Sequence, residues 1–239
     1  MKYKLTDETK VVNNITLHRI ECVTAFDDIE CGAKGGWIES EKNLSQCGSA
    51  WVCENATVGG NATVCGNARI SGNARISGNA WVYGNATVCG NAMVSDNATV
   101  SENATVSGNA RISGDAKVGG NARISENARI DEYAKVGGNA RISGNAEVFG
   151  DARVDGNAIV REGADYIVFK NWWSSGRYFT WTRSNNKWKV GCFYGTGDEL
   201  VAKAYKDSEK SGREYERVVK YVESILQEED NGNRNKREG

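Results

Sequence analysis

From Ala50 to Gly163 apolar and polar positions follow a six-residue period that repeats nineteen times without a slip, as in GNARIS GNARIS GNAWVY. Ala opens every hexad (Ala50, Ala56, Ala62, on to Ala158), and Val or Ile follows two places later (Val52, Val58, Val64, Ile70, on to Val160). Side chains two apart on an extended segment share one face. The pattern predicts a short strand of about four residues per hexad, with Ala and the β-branched residue inward and the residue between them outward.

The other two positions are polar and turn-forming: Asn fills the last in fifteen of the nineteen hexads, and Gly fills the one before it in thirteen. Gly-Asn is the composition of a bend that needs positive φ. Each hexad is then one side plus one corner of a prism, and small Ala beside a branched residue suits a narrow interior. Parallel coils of such a prism stack at about 4.8 Å. The period, the Ala and the Gly-Asn corner resemble the hexapeptide-repeat, left-handed parallel β-helix proteins. That resemblance implies three hexads per coil and the left-handed sense. Nineteen hexads give a little over six coils, and each buried Val or Ile contributes on the order of 1.5–3 kcal/mol.

The flanks break the grammar. Residues 1–49 are not repetitive; KYKL and ITLHRIECVTAF predict short strands joined through VVNN, forming an N-terminal cap over the open end of the column. The opening KYKL, the stretch CVTAFDD and the run GAKGGWIESEKNLSQCGSAWVCENA resemble the YdcK-like group of bacterial and phage-encoded hexapeptide proteins. After the repeat, 164–228 predicts an α+β module: a three-stranded meander, a helix capped by Thr196 or Asp198, and a second helix over 212–227 with Tyr215, Val218, Val219, Val222, Ile225 and Leu226 in one stripe. The polar tail 229–239 is expected to be disordered. The fold class is thus mainly β: a β-helix over 50–163 with a small β cap and a C-terminal α+β module.

Composition narrows the function. Thirty basic against 31 acidic residues gives no bulk attraction to nucleic acid or membrane. No apolar run spans a bilayer and the polar start MKYKLTDETK lacks a leader pattern, so a cytoplasmic location is expected, in the host cell if the chain is phage-encoded. The seven Cys are odd in number and lack a CxxC pair, which reads as reduced thiols. Asn-Ala-Thr triplets match a glycosylation acceptor but follow from the repeat itself.

Catalytic signals are sparse. The family resemblance implies, for the acyltransferases of this class, a His general base and an acyl-CoA groove between columns, whereas this chain has a single His, His18, outside the repeat. No metal-ligand cluster and no phosphate loop are apparent, and no cofactor is expected. The outward positions carry more. Six consecutive hexads place Arg111, Lys117, Arg123, Arg129, Lys135 and Arg141 at the centre of a side, a basic girdle two coils deep, with Asp115, Glu126, Asp131, Glu132, Glu147, Asp151 and Asp155 close by as balancing charge. These are candidate contacts for an anionic small molecule. Trp51, Trp81 and Met93 are expected outside as subunit contacts, the alternative being a Trp packed under the cap or the C-terminal module, and the resemblance favours a homotrimer. In the module Trp172, Trp173, Arg177, Tyr178 and Trp181 form a second candidate surface, since Trp, Tyr and Arg dominate binding hot spots, although about half of the module's aromatics must also serve as its core. The leading expectation is a non-catalytic binding or scaffold protein of bacteriophage or prophage type, oligomerising through the column and binding a host protein or an anionic small molecule, with a conceivable counter-defence role. The alternative is an acyl-CoA-dependent acyltransferase.

Overall fold

The structure, a computed structural model, describes residues 1–235, with side chains described through Glu229. The described residues separate into two compact units, 1–166 and 167 onward. In the first, β1 (Tyr3–Val12) and β2 (Ile15–Cys22) form an antiparallel hairpin closed by Asn13 and Asn14 at φ 49° and 62°, the left-handed pair that a two-residue hairpin loop requires. β3 (Lys34–Ile38) follows, and then nineteen two-residue strands, β4 (Trp51–Val52) to β22 (Ile159–Val160), one per hexad. The strands are shorter than the expected four residues, because the Ala of each hexad already belongs to the bend: its N–H bonds back across the corner, as from Ala74 to Ser71 O at 3.3 Å.

Every third strand is paired in parallel. The first sheet runs β1-β2-β3-β5-β8-β11-β14-β17-β20, the second from β4 to β22, and the third from β6 to β21. This is a parallel β-solenoid of about seven turns, and the spacings of about 4.8 Å between its stacked strands carry the backbone over about 29 Å from first to last. The interior is what the period dictates: every repeat Ala and every Val or Ile from Ala50 to Val160 is buried. The Gly corners sit at φ 59–71°. Five repeat corners hold an acid there instead (Glu54, Asp96, Glu102, Glu126 and Glu132, φ 56–59°), a conformation that costs an L-residue on the order of 1 kcal/mol. Four of these carboxylates reach one coil on and accept a corner N–H: Glu54 from Gly72 (2.5 Å), Asp96 from Gly114 (3.2 Å), Glu126 from Gly144 (2.7 Å), and Glu102 from Gly120. The added hydrogen bond offsets the strain.

The cap begins the column instead of merely covering it. Trp37 and Ile38 of β3 pair in parallel with Thr57 and Val58, and Leu44 bridges to Val64, so the first turn starts well before residue 50. Gly36 occupies the Ala place there, where a Cβ would fall 2.7 Å from Val52 Cγ1. Stacking runs from the N–H of one coil to the C=O of the next, which leaves the first coil's carbonyls needing donors. On the first sheet Trp37 N–H donates to Ala56 O at 3.0 Å. On the second, the Lys2 ammonium donates to Ala50 O (2.8 Å) and Gly48 O (3.2 Å). On the third, the buried Asn43 amide donates to Ala62 O (2.9 Å) and Gly60 O (3.1 Å). Each sheet edge thus has its own cap. Burial draws the Lys2 ammonium below the usual lysine range.

Trp51 departs from the expected outward exposure. It is 2% exposed, enclosed by Phe26 and Tyr3 at ring separations of 5.6 and 6.5 Å, because the cap folds over the first outward position of its sheet. Trp81 does stand outside, 56% exposed, against Tyr83; Met93 is half-buried.

In the second unit β23 (Tyr166–Lys170), β24 (Tyr178–Thr182), β25 (Lys187–Val190) and β26 (Phe193–Gly195) form a four-stranded sheet, followed by α1 (Gly197–Asp207) and α2 (Glu209–Asn235). The fourth strand replaces the expected three-stranded meander: Gly191 at φ 56° turns the chain in two residues and pairs Phe193 with Val190. Thr196 caps α1, accepting from Glu199 N–H at 3.2 Å while the Glu199 carboxylate accepts Thr196 N–H at 2.7 Å. Helix α2 runs on through Asn235, so 229–235 is not the disordered tail expected; the remainder of that tail, 236–239, lies outside the described residues.

Candidate functional site

The six basic residues of the girdle fall on three different sheets. Arg111 stacks on Arg129 in the first, Arg123 on Arg141 in the second, and Lys117 on Lys135 in the third. They do not converge as one site. On the first sheet Arg129 is engaged by Glu147 at 3.4 Å, and the Arg123–Arg141 ladder ends on apolar Ile159. Only the third sheet extends the row with another cation, Arg153, paired in register with Lys135.

A groove of about 440 Å³ lies along that third row, lined by Lys117, Lys135 and Arg153 on one side and by Asn97, Asp115, Tyr133 and Asp151 on the other, with Thr99 at its end. Its volume is in the range of small-molecule sites. Lys135 sits between two cations, and its ammonium is drawn below the usual lysine range by desolvation first and then by Arg153 and Lys117, with Asp151 opposing.

The opposite wall is where the repeat breaks its own rule. On the two other corners the Asn side chains form amide ladders running unbroken from Asn55 to Asn145 and from Asn67 to Asn157, each Nδ2 donating to the Oδ1 one coil on. On this corner the ladder runs Asn61, Asn79, Asn97 and stops at Asp115. Asp115, Tyr133 and Asp151 then replace Asn in three consecutive coils, and within the repeat up to Asn157 these are its three departures from Asn. All three stand two residues before the cations Lys117, Lys135 and Arg153. The spacing of 18 residues, three hexads, marks the column in the sequence, but the charge pattern alone shows Asp115 and Asp151 as charge balance and does not single out Tyr133 or Arg153.

The aromatic candidates of the second unit divide. Trp173 and Trp181 are buried together with Phe179, Trp188, Leu200, Tyr215 and Val219 in the core of that unit; Trp173 packs edge-on against Tyr215 at 5.0 Å. Trp172 remains 71% exposed, Arg177 is exposed, and Tyr178 is partly so beneath the Lys170 ammonium. A sheet of short strands over two helices needs most of its aromatics for packing. His18 is half-buried in β2, between Thr9 and Ile38 in register. Among the described residues no group of three or more His, Cys, Asp or Glu is placed to hold a metal ion, and no helix is long and apolar enough to cross a membrane. The seven thiols are unpaired, and burial pushes those of Cys53, Cys65 and Cys89 up.

Stacked hexads with buried Ala and Val define a hexapeptide-repeat β-solenoid protein. Within the repeat, residues 68–84, 86–102 and 92–108 match the sequence model of the YdcK β-solenoid repeat. It is 32% identical over 59 residues to the Escherichia coli K12 protein named uncharacterized acetyltransferase YdcK, a stretch that takes in 21% of this chain and 18% of that one. The match thus spans less than a fifth of the relative's length. A Bacillus cereus crystal structure described as a provisional acetyltransferase aligns over 77% of this chain and 92% of its own at 15% identity, with a TM-score of 0.31, too loose a likeness to bear on function.

Proposed function

We propose that this protein binds an anionic small molecule along the Lys117–Lys135–Arg153 row, the solenoid serving as a rigid scaffold and not as a catalyst. The observation that carries this is the coincidence of three stacked cations with the groove of about 440 Å³. Charge-assisted hydrogen bonds from two or three cations held on one rigid face bind a multivalent anion without ordering any loop. An acyl-transfer reading draws only on the names of distant relatives, and His18, the base it would use, is far along the chain from the groove and in the cap.

The test is binding of inorganic tripolyphosphate to the full chain, read by thermal shift and by native mass spectrometry, which also weighs the oligomer. Lys135→Gln should weaken binding roughly tenfold through loss of one charge-assisted contact, while Arg123→Gln, on another sheet, should leave it unchanged. Equal losses from both substitutions would mean diffuse charge attraction and would sink the proposal. So would turnover of acetyl-CoA abolished by His18→Ala.

A further inference from the structure

The two walls of the groove differ in chemistry. One carries three cations; the other carries carboxylate, phenol and carboxylate in successive coils, Asp115, Tyr133 and Asp151. A wholly anionic ligand, such as an inorganic polyphosphate, would meet repulsion from Asp115 and Asp151 as soon as it left the cation row. The groove instead suits a molecule with two ends: an anionic end for the cations and a neutral, planar end bearing hydrogen-bond donors. Tyr133 is 60% exposed at the centre of the second wall, a position where the other corners hold the ladder-forming Asn. At this corner the chain has given up amide ladder bonds and gained a flat ring flanked by two acceptors.

Building on the anion-binding reading, we infer that the ligand is a nucleoside di- or triphosphate, its phosphates on Lys117, Lys135 and Arg153, its base stacked on Tyr133 and its ribose or amino donors facing Asp115 or Asp151. Base-on-aromatic stacking tolerates any base, because every base has a π-face, so the site should select for a nucleotide without strong choice among bases. Coils about 4.8 Å apart let a phosphate chain lying along the row meet more than one cation from the same wall.

The experiment is calorimetric titration of the full chain with adenosine triphosphate and with inorganic tripolyphosphate, for the parent, Tyr133→Phe and Tyr133→Asn. Tyr133→Asn restores the repeat's own residue and is therefore expected to fold; its circular dichroism and melting curve verify this. The parent should prefer the nucleotide roughly tenfold, a span within what stacking supplies, although tripolyphosphate carries more charge. Tyr133→Phe should keep the preference and Tyr133→Asn should erase it while tripolyphosphate affinity holds. Tripolyphosphate binding with no nucleotide preference, or a preference that survives Tyr133→Asn, overturns this inference and leaves the anion reading intact. If neither compound binds, both fall together.

Discussion

Asn43 offers the sharpest test of how the column is started. It is fully buried, donates from Nδ2 to Ala62 O at 2.9 Å and Gly60 O at 3.1 Å, and accepts Ser40 N–H on Oδ1 at 2.9 Å. Asn43→Ala leaves two edge carbonyls and one N–H without partners. At a net 0.5–1.5 kcal/mol per hydrogen bond, with Gly60 O discounted for partial exposure, the loss is about 2–3 kcal/mol. Asn43→Asp should be worse, because it keeps the Ser40 contact but sets an acceptor against two carbonyl oxygens in a buried site. In a solenoid each coil leans only on its neighbours. Hydrogen exchange should therefore speed up in the first coils, including the amides that follow Ser45, while the coils around Val148 to Val160 keep their protection. Wild-type exchange in Asn43→Ala, to within about 0.5 kcal/mol, would refute the capping argument, as would an Asn43→Asp variant at least as protected as the alanine.

Two more outcomes follow from the same geometry. At Glu126, φ 59° with its carboxylate on Gly144 N–H at 2.7 Å, Ala keeps the strain and loses the bond, so Glu126→Ala should cost about 1–2 kcal/mol in denaturant titration. Glu126→Gly removes both strain and bond and should lie near the parent; an alanine as stable as the glycine would contradict the compensation. For pH, Tyr3 donates to Leu44 O at 2.6 Å, and burial raises its hydroxyl above the ordinary tyrosine value. Its contribution is present below the unfolded value of about 10 and is lost as pH rises past it, because the unfolded chain then releases a proton the folded chain keeps. Lys2, lowered by burial, works in the opposite sense as pH rises toward its ordinary value. Comparing the parent with Tyr3→Phe between pH 8 and 11 isolates the tyrosine: the parent should lose more stability, and equal slopes would exclude this role.

The strict period determined most of the first unit. With Ala and Val or Ile fixed two apart and a left-handed corner every six residues, the short strands and the inward core follow from local order; the number of hexads per coil, and with it the pairing register, does not. Girdle positions were equally legible, because the residue between two inward ones must point out. Nonperiodic segments were less so. Trp51 sits in an outward position yet is buried, since a distant segment carrying Tyr3 and Phe26 folds over it. Trp173 and Trp181 are aromatics like Trp172, and only packing against α1 and α2 decided which went inside.

The candidate site shows the same division. Lys117, Lys135, Asp115 and Asp151 were visible as charges, but a linear chain ranks them with Arg111, Arg123, Arg129 and Arg141. Stacking decides: residues 18 apart become neighbours at about 4.8 Å, so Lys117, Lys135 and Arg153 share a wall while the remaining arginines are carried to other sheets. The sequence by itself determined which side chains face outward. The three-sided coil decided which of them face one another, because its circumference sets which distant residues become adjacent.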